Sequence, residues 1–169
     1  MTLTELFLAE LDREAARSRR ALEQAPEGKH DWKPHEKSMV FSYLAELVAT
    51  MPRWIALGIN QDELDINPPG GSQVRRTPMH TSADFLAGHE KAVGEARTAL
   101  QGTTEEHLLQ PWRLLAGGKV VWEATRHEMI CDTFNHLAHH RGQMTVYLRL
   151  LGAKVPAIYG PSADDRSFA

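Results

Sequence analysis

The chain has a single cysteine among its 169 residues, Cys131, so no intramolecular disulfide can staple it. It has no apolar run of about 18 residues or more, which excludes a membrane-spanning helix and leaves no membrane role to expect. Neither sign of charge dominates. The 19 Lys and Arg stand against 22 Asp and Glu for a formal net charge of -3, and with no basic stripe nucleic acid is not an expected partner. The segment Met1-Thr2-Leu3-Thr4-Glu5 has neither the basic nor the apolar stretch of a secretory leader, so the expected location is cytoplasmic. Internal repeats and low-complexity tracts are also missing. What remains, 42% hydrophobic and 24% charged residues, is the composition of an ordinary globular chain, and the length suits one domain over residues 1–169. Cys131 falls inside a helical pattern and reads as a small packed hydrophobe without a catalytic role.

Helical periodicity organises most of the chain. Thr2 and Glu5 form a capping box, and Leu3, Leu6, Phe7, Leu11 and Ala15 recur at helical spacing to about Gln24. Pro26, Gly28 and Pro34 mark a loop. A second helix should begin near Ser38 and carry Met39, Tyr43, Leu44, Leu47, Val48 and Met51 inward, and at Pro52 it should kink or restart with Arg53 to Leu57. From Gly58 to Thr81 the chain reads as a long connection, interrupted by Pro68-Pro69-Gly70-Gly71. Thr81 or Ser82 caps a third helix bearing Phe85, Leu86, His89, Val93, Ala96 and Leu100, with Gly102 at its end. Thr103 to Glu106 looks like a short capped turn. Gly117-Gly118 between two apolar runs signals a tight hairpin from Trp112 to Trp122. Thr125 and Glu128 make another capping box, opening the longest helix, which runs to Leu151 and stops at Gly152. The expected fold is therefore all-α: a four-helix bundle with a long crossover between helices two and three and a small hairpin before the last helix.

Nine histidines is a high count, and three of them, His136, His139 and His140, fall within five positions of that last helix. Residues four apart share a helix face, so His136 and His140 can aim their imidazoles at one point, while His139 is turned roughly 100° from His140. Imidazole nitrogen suits Zn²⁺, Ni²⁺ or a similar divalent ion. Ile130, Leu137, Met144, Tyr147 and Leu151 flank the pair and should turn it toward the bundle interior. The plain alternative is two core-lining histidines held by hydrogen bonds.

Asn135-His136, His139-His140-Arg141-Gly142-Gln143-Met144, Tyr147-Leu148-Arg149, Gly152, Pro156, Tyr159-Gly160 and Ser162-Ala163-Asp164 together resemble the C-terminal signature of DinB-like proteins. Lys33 to Met39, with Ala45 to Trp54 after it, resembles the second-helix region of the same family, so the likeness spans most of the chain. The resemblance implies a four-helix bundle with a crossover between helices two and three, commonly a homodimer, holding a divalent metal on three histidines. Two of those ligands fall on His136 and His140. The third belongs to a helix-two pattern resembling Leu-Ala-x-His-Val-Ala, and here that stretch reads Leu44-Ala45-Glu46-Leu47-Val48-Ala49. A leucine cannot ligate, and two imidazoles alone bind divalent ions weakly.

The third ligand then has several candidates. His89 is on the apolar face of helix three and is the first choice, with a hydrogen-bonded core histidine as its plain reading. Asp132, one turn before His136, could ligate or orient an imidazole. Glu46 is rotated about 100° from Leu47, and His35 and His80 stand in loops. Resemblance implies a metal-dependent enzyme, either like the family's thiol S-transferases and isomerases, in which a metal lowers the pKa of a cofactor thiol, or a hydrolase. The catalytic residues and substrate stay open. The rival is a metal-free bundle that binds a small molecule or a protein partner, favoured by Leu47. Trp32, Trp54, Trp112 and Trp122 read as packing residues, Arg141 as half of an ion pair within the bundle or the dimer, and Arg75-Arg76 as solvated or as a grip for an anionic substrate.

Overall fold

A computed structural model of the chain describes residues 1–71 and 78–167. Helix α1 spans Leu3–Leu22 and opens on the expected Thr2–Glu5 capping box. The second helix is two helices. The first, α2, starts at Phe41 rather than near Ser38, because the preceding loop folds back and the carbonyls of Trp32 and His30 accept from the amides of Phe41 (2.7 Å) and Ser42 (3.0 Å). It covers Phe41–Thr50, and beyond Pro52 the chain restarts as α3, Arg53–Asn60, since proline supplies no amide to carry the ladder through. Helix α4, Ser82–Gln101, is capped by Thr81 and Asp84, and a single turn, α5, covers Glu105–Leu108. Strands Pro111–Ala116 and Lys119–Thr125 follow, and α6 runs from Arg126 to Leu150 behind the Thr125–Glu128 box.

The fold is mostly helical but not all-α. A strand at Glu63–Asp65, β1, pairs in parallel with Pro111–Ala116, β2, which pairs antiparallel with Lys119–Thr125, β3. The Gly117-Gly118 turn joining β2 and β3 has both residues at positive φ, 64° and 76°, as the sequence leads one to expect of a two-residue hairpin. The third strand is held by chemistry rather than by pattern. The Asp65 carboxylate accepts from the amides of Asn67 (2.8 Å), Gly117 (3.1 Å) and Gly118 (2.7 Å), fastening the hairpin turn to the end of β1. Part of the expected crossover is therefore sheet.

Helices α1 and α2–α3 each pack on both α4 and α6. The core falls into two clusters. Leu44, Val48, Phe85, Leu137, Met144 and Leu148 represent one, and Leu11, Ile55, Leu100, Trp112 and Ile130 the other, against which the sheet is packed. Arg126 ties these parts together at the second cluster: its buried guanidinium donates to the carbonyls of Gly58 and Gln61 (both 3.1 Å) and to Asp62 (2.5 Å), closing the open end of α3 onto the start of α6.

His89 is part of this core rather than of a metal site. It is buried, with Nδ1 3.2 Å from the Ala49 carbonyl on α2 and Nε2 3.0 Å from the Ala15 carbonyl on α1. A neutral imidazole has one N–H, so it can donate to only one of these oxygens. Burial pushes the pKa of the ring down and prevails over the two carbonyls, which pull it up. The folded chain thus resists a proton that the unfolded chain accepts near pH 6.5.

The ion pair expected of Arg141, within the bundle or across a dimer, forms within the bundle. Arg141 and Glu14 are both buried, and Arg141 Nη2 donates to Glu14 Oε2 at 2.5 Å while Nη1 donates to Ser18 Oγ (3.0 Å) and the Glu14 carbonyl (3.2 Å). Arg17 donates to the other Glu14 oxygen (2.5 Å), and the Tyr159 hydroxyl, itself accepting from Arg141, donates to Glu14 at 3.1 Å. Burial alone would raise the Glu14 pKa. The hydrogen bond and charge of Arg141, helped by hydrogen bonds from Arg17 and Tyr159, outweigh it and hold the carboxyl below its usual range.

Two outcomes follow for stability. Glu14→Ala leaves the buried Arg141 guanidinium without its counter-ion and should cost about 3–5 kcal/mol in urea unfolding. Stability should be full above about pH 6.5 and decline as pH falls toward 5, since there the unfolded state binds a proton that folded His89 resists. In His89→Gln this decline should be shallower; an unchanged slope would assign it to other groups.

Candidate metal centre

The face of α6 that carries the histidines is set by its buried residues. Leu137, Arg141, Met144 and Leu148 point into the bundle, and His140, 8% exposed, lies at the margin of that stripe. His136 is exposed, so the pair straddles the boundary between core and solvent instead of lying wholly inside as the flanking apolar residues suggest. His139 is exposed too, with its ring 5.2 Å from that of His140.

The two Nε2 atoms of His136 and His140 are 2.8 Å apart. Gln143 sets which of them has a lone pair. Its Oε1 accepts from His140 Nδ1 at 2.8 Å, which places that ring's proton on Nδ1 and leaves Nε2 as an acceptor. With both rings neutral, His136 donates across the 2.8 Å gap. Burial pushes the pKa of His136 down, and the neighbouring charges of protonated His140 and His139 add to this, so the neutral form that can ligate is favoured.

A divalent ion bound at about 2.0–2.1 Å by two imidazoles holds their nitrogens about 2.9 Å apart at a right angle and about 3.4 Å apart in a tetrahedron. The spacing therefore fits two adjacent ligands of one ion, needing little or modest opening. The set does not extend to three. Among the described residues no group of three His, Cys, Asp or Glu side chains could hold a metal. His89 is committed to the carbonyls of Ala15 and Ala49. Leu47 is half-buried and packs against the cluster containing Leu137 and Met144. His35 is exposed and accepts from the Lys37 amide (3.2 Å), and His80 packs on His30 with ring centroids 4.6 Å apart, so both have local roles. Arg75-Arg76 lie outside the described residues.

A cavity of about 110 Å³ adjoins His136. Trp54, Trp112, Leu114, Trp122 and Met129 form its apolar wall, and Asp132, Thr133 and His136 line it from α6. Three of the four tryptophans thus pack, as expected, yet also shape a concavity beside the histidines. Sequence patterning could not find it, because its walls come from α3, both hairpin strands and α6. Gln143 was within reach of sequence reasoning as the residue three positions after His140. A larger open groove of about 860 Å³ lies between α3 and α4, and none of its lining residues is on α6. Cys131, read as packed, is exposed; partial burial followed by the charges of Asp132 and Glu128 pushes its thiol pKa up, which keeps it protonated and unreactive.

Among the described residues no helix is long and apolar enough to cross a membrane. The chain is similar to the uncharacterised protein YrdA of Bacillus subtilis, with 34% identity over 89 residues, and this match spans about half of each protein (52% of this chain, 51% of YrdA). It is also similar in structure to a DinB-like protein from Bacillus cereus, with a TM-score of 0.71 at 20% identity over 92% of this chain and 97% of that one. A DinB-like protein from Bacillus subtilis gives a TM-score of 0.69 at 18% identity, covering 95% of this chain and 99% of that one. These two likenesses speak for the fold, and the family model described as DinB family matches residues 4–167. With nearly the whole chain matched, the protein belongs to the DinB family.

Proposed function

We propose that this protein is a metal-dependent enzyme whose divalent ion is held by His136 and His140, with the remaining coordination positions open to water and substrate. The observation that carries the reading is the convergence of the two Nε2 atoms at 2.8 Å with His140 already locked by Gln143 in the tautomer that ligates through Nε2. An ion at this place would stabilise the thiolate of a thiol substrate or cofactor, the chemistry of a thiol S-transferase. His140 supplies a fixed ligand, His136 a more exposed one, and Gln143 keeps the His140 ring from turning. Asp132, on the same helix face one turn before His136, can balance the charge of the site without joining the ligands. Leu47, standing where resemblance to the family puts a histidine, makes the ion weakly held and exchangeable. A homodimer remains the assembly implied by resemblance to the family.

A second reading has its own support. Leu47 is packed against an apolar cluster, and the cavity beside His136 is aromatic, as suits a metal-free bundle that binds a small molecule.

Elemental analysis of untagged protein at equilibrium dialysis against zinc or nickel, with the ion counted in excess of the dialysate, separates the two. About one ion per chain is expected, falling to background in a His136→Ala, His140→Ala double variant. No bound metal in the parent protein would leave the metal-free reading standing. Leu47→His should tighten binding by restoring a third imidazole, measurable as slower loss of metal to a chelator.

A further inference from the structure

Three half-buried apolar side chains from different elements converge beside His136: Trp54 from α3, Leu114 from β2 and Trp122 from β3. Each keeps apolar surface in contact with water around the cavity of about 110 Å³ that they line. The polar side chains lining it from α6 offer little inside. Asp132 and His136 are exposed, and the buried Thr133 hydroxyl is engaged, donating to the Met129 carbonyl at 2.9 Å. Met129, 3% exposed, lines the same cavity and is seated on a glycine. Gly58 lies within α3 with ordinary helical backbone, where glycine weakens the helix relative to alanine. A Cβ at this position would come within 2.5 Å of Met129 Sδ and 3.0 Å of its Cε, so the thioether occupies the space that a side chain on α3 would take.

We infer that this cavity receives a compact aliphatic group of about four or five carbons, and that Met129, drawn back against Gly58, sets the length it admits. Three features select that class. The volume is smaller than the roughly 150 Å³ that admits benzene, and in proportion it holds about four or five heavy atoms, short of a six-membered ring. The hydrophobic effect is non-directional, so covering the apolar surface of Trp54, Leu114 and Trp122 requires only that the occupant be apolar and fit. A charged group would be penalised by that wall, and a carboxylate would also meet the like charge of Asp132. That the aliphatic group belongs to a substrate rests on the reading of His136 and His140 as the reaction centre, whereas its binding does not.

The test is a titration of ¹⁵N-tryptophan-labelled, metal-free protein with the straight-chain alcohols from propanol to heptanol, followed by the indole N–H signals of Trp54 and Trp122 in NMR, assigned through Trp54→Phe and Trp122→Phe. Affinity should rise about fourfold per added methylene and level off at butanol or pentanol, where the cavity is full. In Gly58→Ala the displaced thioether should bring the limit down by about one carbon. Leu114→Phe, which fills the cavity from β2, should abolish the response and serves alone if Gly58→Ala does not fold. A response that does not saturate, an affinity that climbs unbroken to heptanol, a limit unmoved in Gly58→Ala, or binding that survives in Leu114→Phe would overturn the inference. The same series on His140→Ala, whose side chain does not line the cavity, keeps the two readings apart. Absence of metal with the chain-length limit intact defeats the metal site alone, and bound metal without an alcohol response defeats the cavity alone.

Discussion

The buried contact between Arg141 and Glu14 fixes the rotation of α6, and with it the direction of everything else that helix carries. Arg141 immediately follows His140, is 1% exposed, and reaches α1 at Glu14 and Ser18 and the tail at Tyr159. A guanidinium cannot be turned to water without abandoning a carboxylate that is itself buried, so α6 has no freedom to roll. One residue earlier on the helix, roughly 100° around, His140 is thereby held at the edge of the core and His136 one turn away at the surface. The ion pair thus contributes more to the specificity of the arrangement than to its net stability, since desolvation of the two charges offsets much of their attraction.

Around that fixed helix the supporting parts are local. Gln143 selects the His140 tautomer, Arg126 joins α6 to the end of α3, and Asp65 fastens the hairpin whose strands supply two walls of the aromatic cavity. The histidine pair and the cavity share His136, so a group seated among the tryptophans lies beside an imidazole with its neutral form favoured. Leu47 stands on the helix-two side of the site. Its packing with the Leu137 cluster makes the helix-two side of the site apolar, where the family resemblance would put a nitrogen.

Much of this was legible in the sequence because it depends on neighbours in the chain. The two capping boxes at Thr2 and Thr125, the cap at Thr81, the restart after Pro52, the Gly117-Gly118 turn and the one-face placement of His136 and His140 are all short-range facts, and each is where the spacing put it. What escaped depends on distant partners. Glu63-Leu64-Asp65 is too short to show an alternation, and it becomes a strand only because β2 lies beside it and Asp65 finds the hairpin amides. His89 pointed inward as its apolar face required, but only the carbonyls of Ala15 and Ala49 decided what it met there. The exposure of Cys131 and His136 likewise follows from the roll of α6, which is set by Glu14, a residue that looks like one more surface charge on α1.

Glu14 also has a bearing on how the chain is made. It leaves the ribosome well before its partners, Arg141 being 127 positions later and Tyr159 145 positions later. Until both have emerged, α1 can pack its apolar residues only by stranding an unpaired carboxylate in a dry interior, which is unfavourable. Helix α1 is therefore among the last of these helices to be locked, and its packing waits on the tail. Closure of so long a loop places this step among the slow, topologically distant ones. A chain released a few residues short of Tyr159 would keep its ion pair but lose the hydroxyl that Arg141 and Glu14 share, weakening the seam between α1 and α6.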